Sequence, residues 1–581
     1  MNKPSLIAAA VAAVLTTIGQ GATAAPWTQA RLDKVIGEQA SGEEPVLQDI
    51  ALKLDQSQIQ SGASAAAVVV DGTRSASASR NSLTLALSED FSLAELAAAE
   101  VSALGEDQTA QTSAQASDNM LNVQAQNVTA SGRWTGASVE SSSNALAQGN
   151  GLNVTAETLD VSSREESTGF YGSVVDGSTG TASGSWVTMS VGTAKAREMQ
   201  VAGAQVTGVS AEALNNKVTV GFDEYAVEKL RLYGGRATAQ PTSDTEQAAT
   251  QAIASNNEVT GVFGTVHGDS DITVSAGKAE ATGQDAVSVA DGNSTTIEIA
   301  VSSFGPILDI QGGVSSAGSE MGSLLPLSAQ ASASGNVVTG TFGSISDSDL
   351  AMAAGNARAY GQDAVSFAGG NHLTFETATS VSNSTLEFYG GYSASKSASG
   401  DLQSAQASAS GNKVSGRFES VSDSTISMFA GSAAANGQNV VALADGNQLD
   451  LEISSLSSSD DSGDVFSVIG GNSIADSLSV ASPSVSAQAS ASDNEVSARF
   501  ESVSNSDLSM VAGRAEAYGQ KAVSSADGNR LTFEVATSMS NDNLSVGGGY
   551  SAAGYIDEDS LALSAQASSS GNLVTGSISG S

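Results

Sequence analysis

The sequence predicts an all-β fold, a repeat β-solenoid (β-helix), from three observations. A nine-residue motif returns at nearly constant spacing, the residues after it alternate between polar and apolar, and Gly or Asn marks the corners. Alternation with a period of two is typical of strands, and Gly and Asn accept the positive φ angles of tight corners. Strands that recur at fixed spacing favour coils stacked in parallel. Stacked hairpins would produce the same strand and corner pattern, and they remain the alternative.

The first 25 residues are typical of a secretory signal peptide. Lys3 opens a short positive start, an apolar run extends from Leu6 to Ile18, and small residues end the segment at Ala24. The run is too short to cross a bilayer, and no later segment reaches 18 unbroken apolar residues, so we expect no transmembrane segment. We predict a protein that is secreted by a bacterium or held at its cell surface.

Residues 26 to 63 are predicted to form a small, partly helical N-terminal cap, and residues 64 to 581 the repeat domain. Trp27 and an amphipathic stretch over residues 31 to 36 distinguish the cap. Further on, the apolar residues between positions 92 and 100 have helical spacing. We expect a helix there, as an insertion or as part of a cap.

The repeat consists of two related halves. One half carries the motif Ser-Ala-Gln-Ala-Ser-Ala-Ser-Gly-Asn, which ends at Asn336 and Asn412, with near-identical copies ending at Asn494 and Asn572. The other half carries Gly-Gln, followed by an Asn nine residues after the Gln. The long repeat therefore measures 76 to 82 residues, and each half ends on an Asn that we use as the marker of a unit.

Markers recur along nearly the whole chain, at a mean step of about 38 residues, which predicts about 14 units. They are Asn81, Asn119, Asn150, Ser185 (a degenerate copy), Asn216, Asn257, Asn293, Asn336, Asn371, Asn412, Asn447, Asn494, Asn529 and Asn572. Asn and Gln side chains of stacked coils can hydrogen-bond along the axis. We therefore predict a structural ladder carried by Asn257, Asn336, Asn412, Asn494, Asn572, Gln284, Gln362, Gln438 and Gln520. One coil per unit gives a rod of about 65 to 70 Å, and two coils per unit double that length.

The interior of the coils is expected to be narrow, because only 4% of the residues are aromatic and Ala, Ser and Val must fill it. Phenylalanines that lie six residues after a marker are candidates for an interior stack: Phe222, Phe263, Phe342, Phe418 and Phe500. Prolines fall in the longer stretches between motifs: Pro241, Pro306, Pro326 and Pro483. Because proline cannot donate to a strand ladder, we expect loops at one edge there.

The charge and the residue types that are rare exclude several functions. The 62 acidic against 23 basic residues give a net charge of −39, which argues against nucleic acid or an anionic membrane as the main partner. There is no cysteine, hence no disulfide and no thiolate metal site. The two histidines, His267 and His372, lie in different repeats, which argues against a Ser-His-Asp triad or a histidine metal site. We predict no cofactor.

Four glutamates, Glu298, Glu376, Glu452 and Glu534, each lie five residues after a marker and should form a column. A catalytic acid and base need two carboxylates in different environments, whereas repetition gives the same environment each time. The column therefore favours exposed, hydrated acids facing Lys or Arg over a polysaccharide-cleaving site.

Asp-x-Asp turns are weak candidates for calcium binding, since clustered carboxylates suit a hard cation. The two turns carry Asp269, Asp271, Asp347 and Asp349. The corresponding turns near residues 423 and 505 do not keep the pair of acids, so the pattern predicts weak calcium binding rather than specific sites.

The motif that ends at Asn412, the alternation from Val414 and the return from Gln438 to Asn447 resemble the repeat proteins of bacterial extracellular matrix. They are similar to the Gln- and Asn-spaced repeats of curli and Fap-type functional amyloids, and to the β-helical passengers of large secreted adhesins. The resemblance covers roughly residues 64 to 581, although the unit is longer than the curli repeat. It implies a secreted, non-catalytic building block of fibres, biofilm matrix or cell-surface contacts.

The sequence thus favours a non-enzymatic structural protein that self-associates. It ends nine residues after Asn572, on the first strand of a new unit, and we expect such an edge to accept another chain. The negative charge should oppose association, so acid or divalent cations should promote it. The alternatives are a monomeric adhesin or polysaccharide-binding β-helix and, third, a β-helix enzyme that degrades polysaccharide.

Overall fold

The computed structural model describes residues 32–105, 111–161, 168–241, 249–267, 270–303, 305–318, 328–397, 404–458, 464–477, 486–519, 521–540, 542–554 and 564–579. Over these residues the protein is all-β, as predicted, and contains no helix. The predicted signal peptide and the first residues of the predicted cap lie outside the described residues.

The described residues form 41 strands that belong to one hydrogen-bonded sheet. The first fifteen are β1 Leu32–Gly42, β2 Val46–Gln48, β3 Ala51–Asp55, β4 Ile59–Gly72, β5 Ser75–Ser79, β6 Ser82–Leu87, β7 Phe91–Ala103, β8 Ser113–Ser117, β9 Met120–Ala130, β10 Arg133–Gln148, β11 Gly151–Val161, β12 Thr168–Ser183, β13 Trp186–Gly208, β14 Ser210–Leu214 and β15 Lys217–Ala239. The others are β16 Thr250–Ser255, β17 Glu258–His267, β18 Asp271–Ala281, β19 Asp285–Val289, β20 Ser294–Ser303, β21 Ile307–Gly318, β22 Ser328–Ser332, β23 Val337–Ser346, β24 Asp349–Gly361, β25 Asp363–Phe367, β26 His372–Ser382, β27 Thr385–Ser397, β28 Ser404–Ser408, β29 Lys413–Ser422, β30 Thr425–Gly437, β31 Asn439–Leu443, β32 Gln448–Ser457, β33 Asp464–Ser477, β34 Ser486–Ser490, β35 Glu495–Ser504, β36 Ser506–Tyr518, β37 Lys521–Ser525, β38 Arg530–Ser540, β39 Asn543–Gly554, β40 Ser564–Ser568 and β41 Leu573–Ile578.

From β16 onward each strand pairs in parallel with the strand three places later in the chain. Three strands therefore make one row, and one repeat unit is one row. Within a row we distinguish the marker strand, which follows a marker Asn (such as β23), the bent strand (β24) and the short strand (β25). Hairpins would pair neighbouring strands antiparallel, whereas these pairings are parallel.

The segment predicted to be a helix at residues 92 to 100 is a strand, and the prediction was wrong. It lies in β7, which pairs in parallel with β4 on one side and β10 on the other. Leu93, Leu96 and Ala98 face one apolar cluster, whereas Ala99 and Val101 face another. A strand that bends between two cores loses its alternation at the bend, and the resulting spacing imitates a helical face.

The described part of the predicted cap, residues 32 to 63, also contains strands and no helix. β1, β2 and β3 pair in parallel with β4, β5 and β6, so these strands continue the same sheet. The predicted boundary at residue 63 falls inside β4. Backbone pairing with the adjacent row favours the extended conformation here, which the amphipathic pattern of residues 31 to 36 did not indicate.

Two apolar compartments run side by side along the rows. Large side chains of the marker strands and the first half of the bent strands fill one compartment, with Phe342, Leu350 and Met352 as examples. Alanines of the short strands and the second half of the bent strands fill the other, with Ala357 and Ala364 as examples, and from Ala405 onward these alanines form a separate cluster. The small interior expected from the composition is therefore the second compartment.

Phenylalanines of the predicted stack are all buried, but they are not a continuous column. Phe222 and Phe263 lie in consecutive rows, but from Phe263 onward every second row of this column carries a smaller residue. The column through Phe342 thus continues with Thr377 and Phe418. The neighbouring column compensates, with Gly340, Phe375 and Gly416 in the same three rows. Phe375 contacts Phe342 and Phe418 at ring-centroid distances of 5.2 and 5.0 Å. This interlocking of large and small side chains gives the repeat its period of two rows.

The corners follow the predicted chemistry. The residue before each marker has positive φ, for example Asn256 at 55°, Gly335 at 63° and Asp493 at 56°. Longer intervals between consecutive strands follow β15, β21, β27, β33 and β39. Each lies between a bent strand and a short strand, in every second row. Pro326 and Pro483 lie outside the described residues, whereas Pro306 precedes a bent strand.

Candidate functional site

The marker asparagines form a hydrogen-bonded ladder between the two compartments. Asn336 donates from its backbone N at 2.9 Å and from Nδ2 at 3.1 Å to Oδ1 of Asn371. Asn371 repeats this pair of bonds to Asn412, with both distances 3.0 Å. The same arrangement joins Asn257 to Asn293 and Asn494 to Asn529. Because each Oδ1 accepts two hydrogen bonds from the row before, the ladder runs with one polarity.

The degenerate marker Ser185 does not interrupt the ladder, because a second serine fills the gap. Asn150 Nδ2 donates to Ser173 Oγ at 3.1 Å, and Ser173 Oγ lies 2.7 Å from Ser185 Oγ. Ser185 N then donates to Asn216 Oδ1 at 3.0 Å. Both serines are fully buried. In the last described row Oδ1 of Asn572 accepts hydrogen bonds from the backbone N and Nδ2 of Asn529. The Asn572 residue is half-buried.

The predicted glutamines occupy corners between bent and short strands. Gln284, Gln362 and Gln438 are half-buried, and their backbone carbonyls accept hydrogen bonds from Ser328 N, Ser404 N and Ser477 Oγ respectively. Gln520 lies outside the described residues. A glutamine side-chain ladder stays a prediction.

A column of glycines, which the sequence analysis did not identify, packs against the asparagine ladder. One glycine of each bent strand aligns with the next row over nine rows: Gly235, Gly277, Gly313, Gly355, Gly391, Gly431, Gly471, Gly513 and Gly549. A Cβ on Gly391 would lie 2.6 Å from Asn412 Nδ2. No side chain fits at that distance, so the ladder requires the glycine.

The bent strands turn at this glycine column, and we call their outer surface, from β15 to β39, the bent-strand groove. Tyr389 and Tyr392 lie on either side of Gly390 and Gly391, and their ring centroids are 5.8 Å apart. Residues three apart in a straight strand point to opposite faces. Here both rings point outward and meet, because the backbone turns between them.

Two aromatic rings lie in the middle of the groove. Tyr389 stacks on Phe429 of the next row, with centroids 5.1 Å apart and ring planes 5° apart. Asn436 in the row of Phe429, and Asn472 and Asp476 in the row after it, have buried Oδ1 atoms without a partner among the residues that the structure describes. Burial raises the pKa of Asp476. This stretch of the groove therefore presents flat aromatic surface, whereas the unpaired oxygens lie below the surface.

Charged residues cluster at an earlier part of the same groove. Glu280 lies 2.9 Å from Lys278 and 3.4 Å from Arg236. Burial alone would raise the pKa of Glu280, but the two cations lower it below its usual value. One row further, burial raises the pKa of Asp309, a shift that the hydrogen bond from Gln311 opposes.

The outer side of the short strands, which we call the short-strand face, carries little charge. It consists of the outward side chains of β16, β19, β22, β25, β28, β31, β34, β37 and β40. Rows that read Ser-x-Gln-x-Ser alternate with rows that carry Val at the Gln position, as in Gln330, Val365 and Gln406. Charged residues appear there only at Asp285, Asp363 and Lys521. In a chain with a net charge of −39 this face is therefore close to neutral.

The glutamate column lies on the outer side of the marker strands. Arg417 stands in the row between Glu376 and Glu452, with nitrogen to oxygen distances of 3.8 and 3.9 Å. A shallow cleft of about 360 Å³ lies beside these three side chains, over Gly416. The two glutamates contact the same arginine from opposite sides, so their surroundings match. This arrangement lacks the difference between two carboxylates that acid and base catalysis requires.

The predicted calcium residues are only partly described. Asp269 lies outside the described residues, Asp271 is half-buried, and Asp347 and Asp349 are exposed. In the register of the sheet Ile307 separates Asp271 from Asp349. Over the described ranges no group of three or more His, Cys, Asp or Glu side chains is arranged to hold a metal ion. Weak calcium binding stays a prediction.

Among the described residues there is no helix with the length and apolarity needed to span a membrane. Comparison of the chain with protein-family models, with curated proteins and with solved structures found no match.

Proposed function

We propose that this chain is a secreted, non-enzymatic structural protein, a β-solenoid that builds extracellular fibres, biofilm matrix or a surface coat by self-association. One row per unit, at about 4.8 Å, gives the proposed rod a length of about 65 to 70 Å. The signal peptide predicted at residues 1 to 25 supports export, and the resemblance to matrix repeat proteins supports a structural role.

The observation that carries this proposal is the repetition of the surface in strict register. Several outward side chains return two rows later in a similar form, as Glu376 and Glu452 do on one face and Val365 and Val441 on another. A rigid body that repeats one weak contact many times gains avidity without any strong single site. The asparagine ladder holds the rows in register and so keeps the contacts evenly spaced.

Self-association is tested on the purified mature chain, residues 26 to 581, between pH 4 and pH 8, with and without calcium. Light scattering and negative-stain microscopy should show rods that assemble, more so in acid or with calcium because the negative charge is reduced or screened. A chain that stays monomeric under all of these conditions would disprove the proposal.

A second candidate function, binding of a neutral polysaccharide, is favoured by one observation in the bent-strand groove. Tyr389 and Phe429 stack and offer flat aromatic surface there. Sugars present apolar C–H faces, which match such a surface. Titration with soluble β-glucan and dextran tests it. The double variant Y389A/Y392A should lose binding, whereas F367A, on the short-strand face, should retain it; equal binding by both would exclude the groove.

A further inference from the structure

We infer that the short-strand face is the surface through which two copies of this chain pair laterally. The inference rests on the proposed self-association and names the face that would carry it. The partner is a second copy of the same chain, whose short-strand face packs against the first.

The first argument is charge. Two molecules that each carry a net charge of −39 repel one another, and the repulsion is strongest where acidic side chains face each other. The marker strands expose Glu376, Glu452 and Glu534, and Arg417 and Arg499 in the rows between them offset this negative charge only in part. That surface is therefore less suited to pairing with itself. On the short-strand face Asp285 and Asp363 each accept a hydrogen bond from a serine of the next row, Ser328 and Ser404.

The second argument is exposed apolar area at regular spacing. Val365, Phe367 and Val523 expose 40, 43 and 43% of their surface, and Leu443 exposes 36%. These side chains lie in every second row, separated by rows of Ser and Gln. Apolar side chains exposed in a regular row gain free energy when a matching row covers them.

The third argument is size. Nine short strands at about 4.8 Å, each five residues long at about 3.3 Å per residue, cover about 700 Å². A standard stable interface buries about 800 Å² on each partner. The face therefore falls within the range of standard interfaces, about 600 to 1,000 Å² on each partner, although each row contributes little.

The alternation also restricts how two faces can fit. When Val365 and Val523 of one copy face valine rows of the other, the Gln rows face Gln rows and can hydrogen-bond as in a steric zipper. A slip of one row places Val against Gln, whereas a slip of two rows restores the match. Pairing is thus expected in registers that differ by two rows, about 9.6 Å.

The test introduces two lysines on the face, V365K/V523K, and two lysines elsewhere, V262K/V337K. Val262 and Val337 lie on marker strands and expose 45 and 43% of their surface. The two double variants therefore change the net charge by the same amount and replace side chains of similar exposure. Sedimentation velocity at pH 5 should show pairing weakened at least about tenfold in V365K/V523K, because lysines of the two copies are brought together. The control variant should pair as the unmodified chain does.

Disulfide cross-linking provides an independent test, because the chain contains no cysteine of its own. The variant V365C/V441C/V523C places a thiol in three valine rows, so that thiols meet in registers that differ by two rows, and it should form a disulfide-linked dimer on mild oxidation under pairing conditions. The control V262C/V301C/V337C, on marker strands, should not. If the unmodified chain pairs but both lysine variants pair equally well, and the control cross-links as readily as V365C/V441C/V523C, the short-strand face is not the contact. If the unmodified chain never pairs, the proposed function itself fails.

Discussion

Asn371 accepts two hydrogen bonds from Asn336 through a single oxygen, at 2.9 Å from the backbone N and 3.1 Å from Nδ2. Both residues are fully buried. The side chain of one row thus satisfies a backbone donor and a side-chain donor of the row before. The row after does the same for Asn371, through Asn412. Every ladder position therefore couples three consecutive rows.

Replacing a ladder residue should destabilise the rows around it. In N371A the N and Nδ2 of Asn336 lose their acceptor, and Oδ1 of Asn412 loses the Nδ2 donor while it keeps the backbone N–H of residue 371. Buried unpaired groups cost about 1–3 kcal/mol each, so we expect a loss of about 2–4 kcal/mol. Denaturant unfolding followed by tryptophan fluorescence or circular dichroism measures it. The control is Q406A on the exposed short-strand face, which should change stability by less than about 0.5 kcal/mol. Equal effects would contradict a structural role for the ladder.

The glycine column should be as sensitive as the ladder. In G391A the new Cβ meets the backbone carbonyl of Ala368 and Nδ2 of Asn412. We expect a loss of about 1–3 kcal/mol from overpacking. G221A is the matched control, because a Cβ there has no atom within 4 Å. Hydrogen exchange measures the local effect, because backbone amides in β26 to β30 should exchange faster in G391A. Unchanged protection of these amides would show that the bend tolerates a side chain.

The ladder could be predicted from sequence because its requirement is local and repeats: one Asn after a corner, at nearly constant spacing. The glycine column could not, since it depends on which strand packs against the Asn. Its signal was nevertheless present, because Gly355, Gly431 and Gly513 each lie 19 residues after a marker. Once the row is known, that constant offset identifies the contact.

The helix predicted at residues 92 to 100 shows where periodicity fails. A bent strand presents apolar residues to two compartments, and its pattern changes phase at the bend, as at Leu96 and Ala99. The groove and the short-strand face were missed for a related reason. Their residues come from different rows, and only the register shows that Gln330, Val365 and Gln406 are neighbours.

The two-row period should be visible in core mutations. Phe375 fills the space above Gly340 and Gly416 and contacts three other phenylalanine rings, Phe342, Phe388 and Phe418. F375A should cost about 3–5 kcal/mol, because the glycines on either side leave a cavity. F367A removes an exposed ring and should cost less than about 1 kcal/mol. The thermal unfolding midpoints of the two variants, measured on the monomeric protein, compare these losses. Similar midpoints for F375A and F367A would contradict the interlocked packing.

Tyr225 offers a change that should stabilise the protein. Its hydroxyl is buried among Phe222 and Phe263 and has no hydrogen-bond partner among the described residues. Burial raises the pKa of Tyr225 well above its usual value. Y225F removes the unpaired hydroxyl and keeps the ring, so we expect a gain of about 1 kcal/mol. Y550F, which alters an exposed ring, is the control. A loss of stability in Y225F would reveal a partner for the hydroxyl.

Asp309 should make stability depend on pH in a defined direction. Burial raises the pKa of its carboxyl above the value in the unfolded chain. The folded state therefore binds the proton more tightly, and stability falls as pH rises from the unfolded value towards the raised folded value. D309N keeps an oxygen that can accept from Gln311 and removes the charge. It should unfold at a higher temperature than the unmodified chain at pH 7, and the difference should shrink below about pH 4, where the carboxyl is protonated in both states. The exposed Asp349, replaced in D349N, controls for the change in net charge. A difference that persists unchanged at pH 3 would show that the effect of D309N comes from packing rather than from the proton.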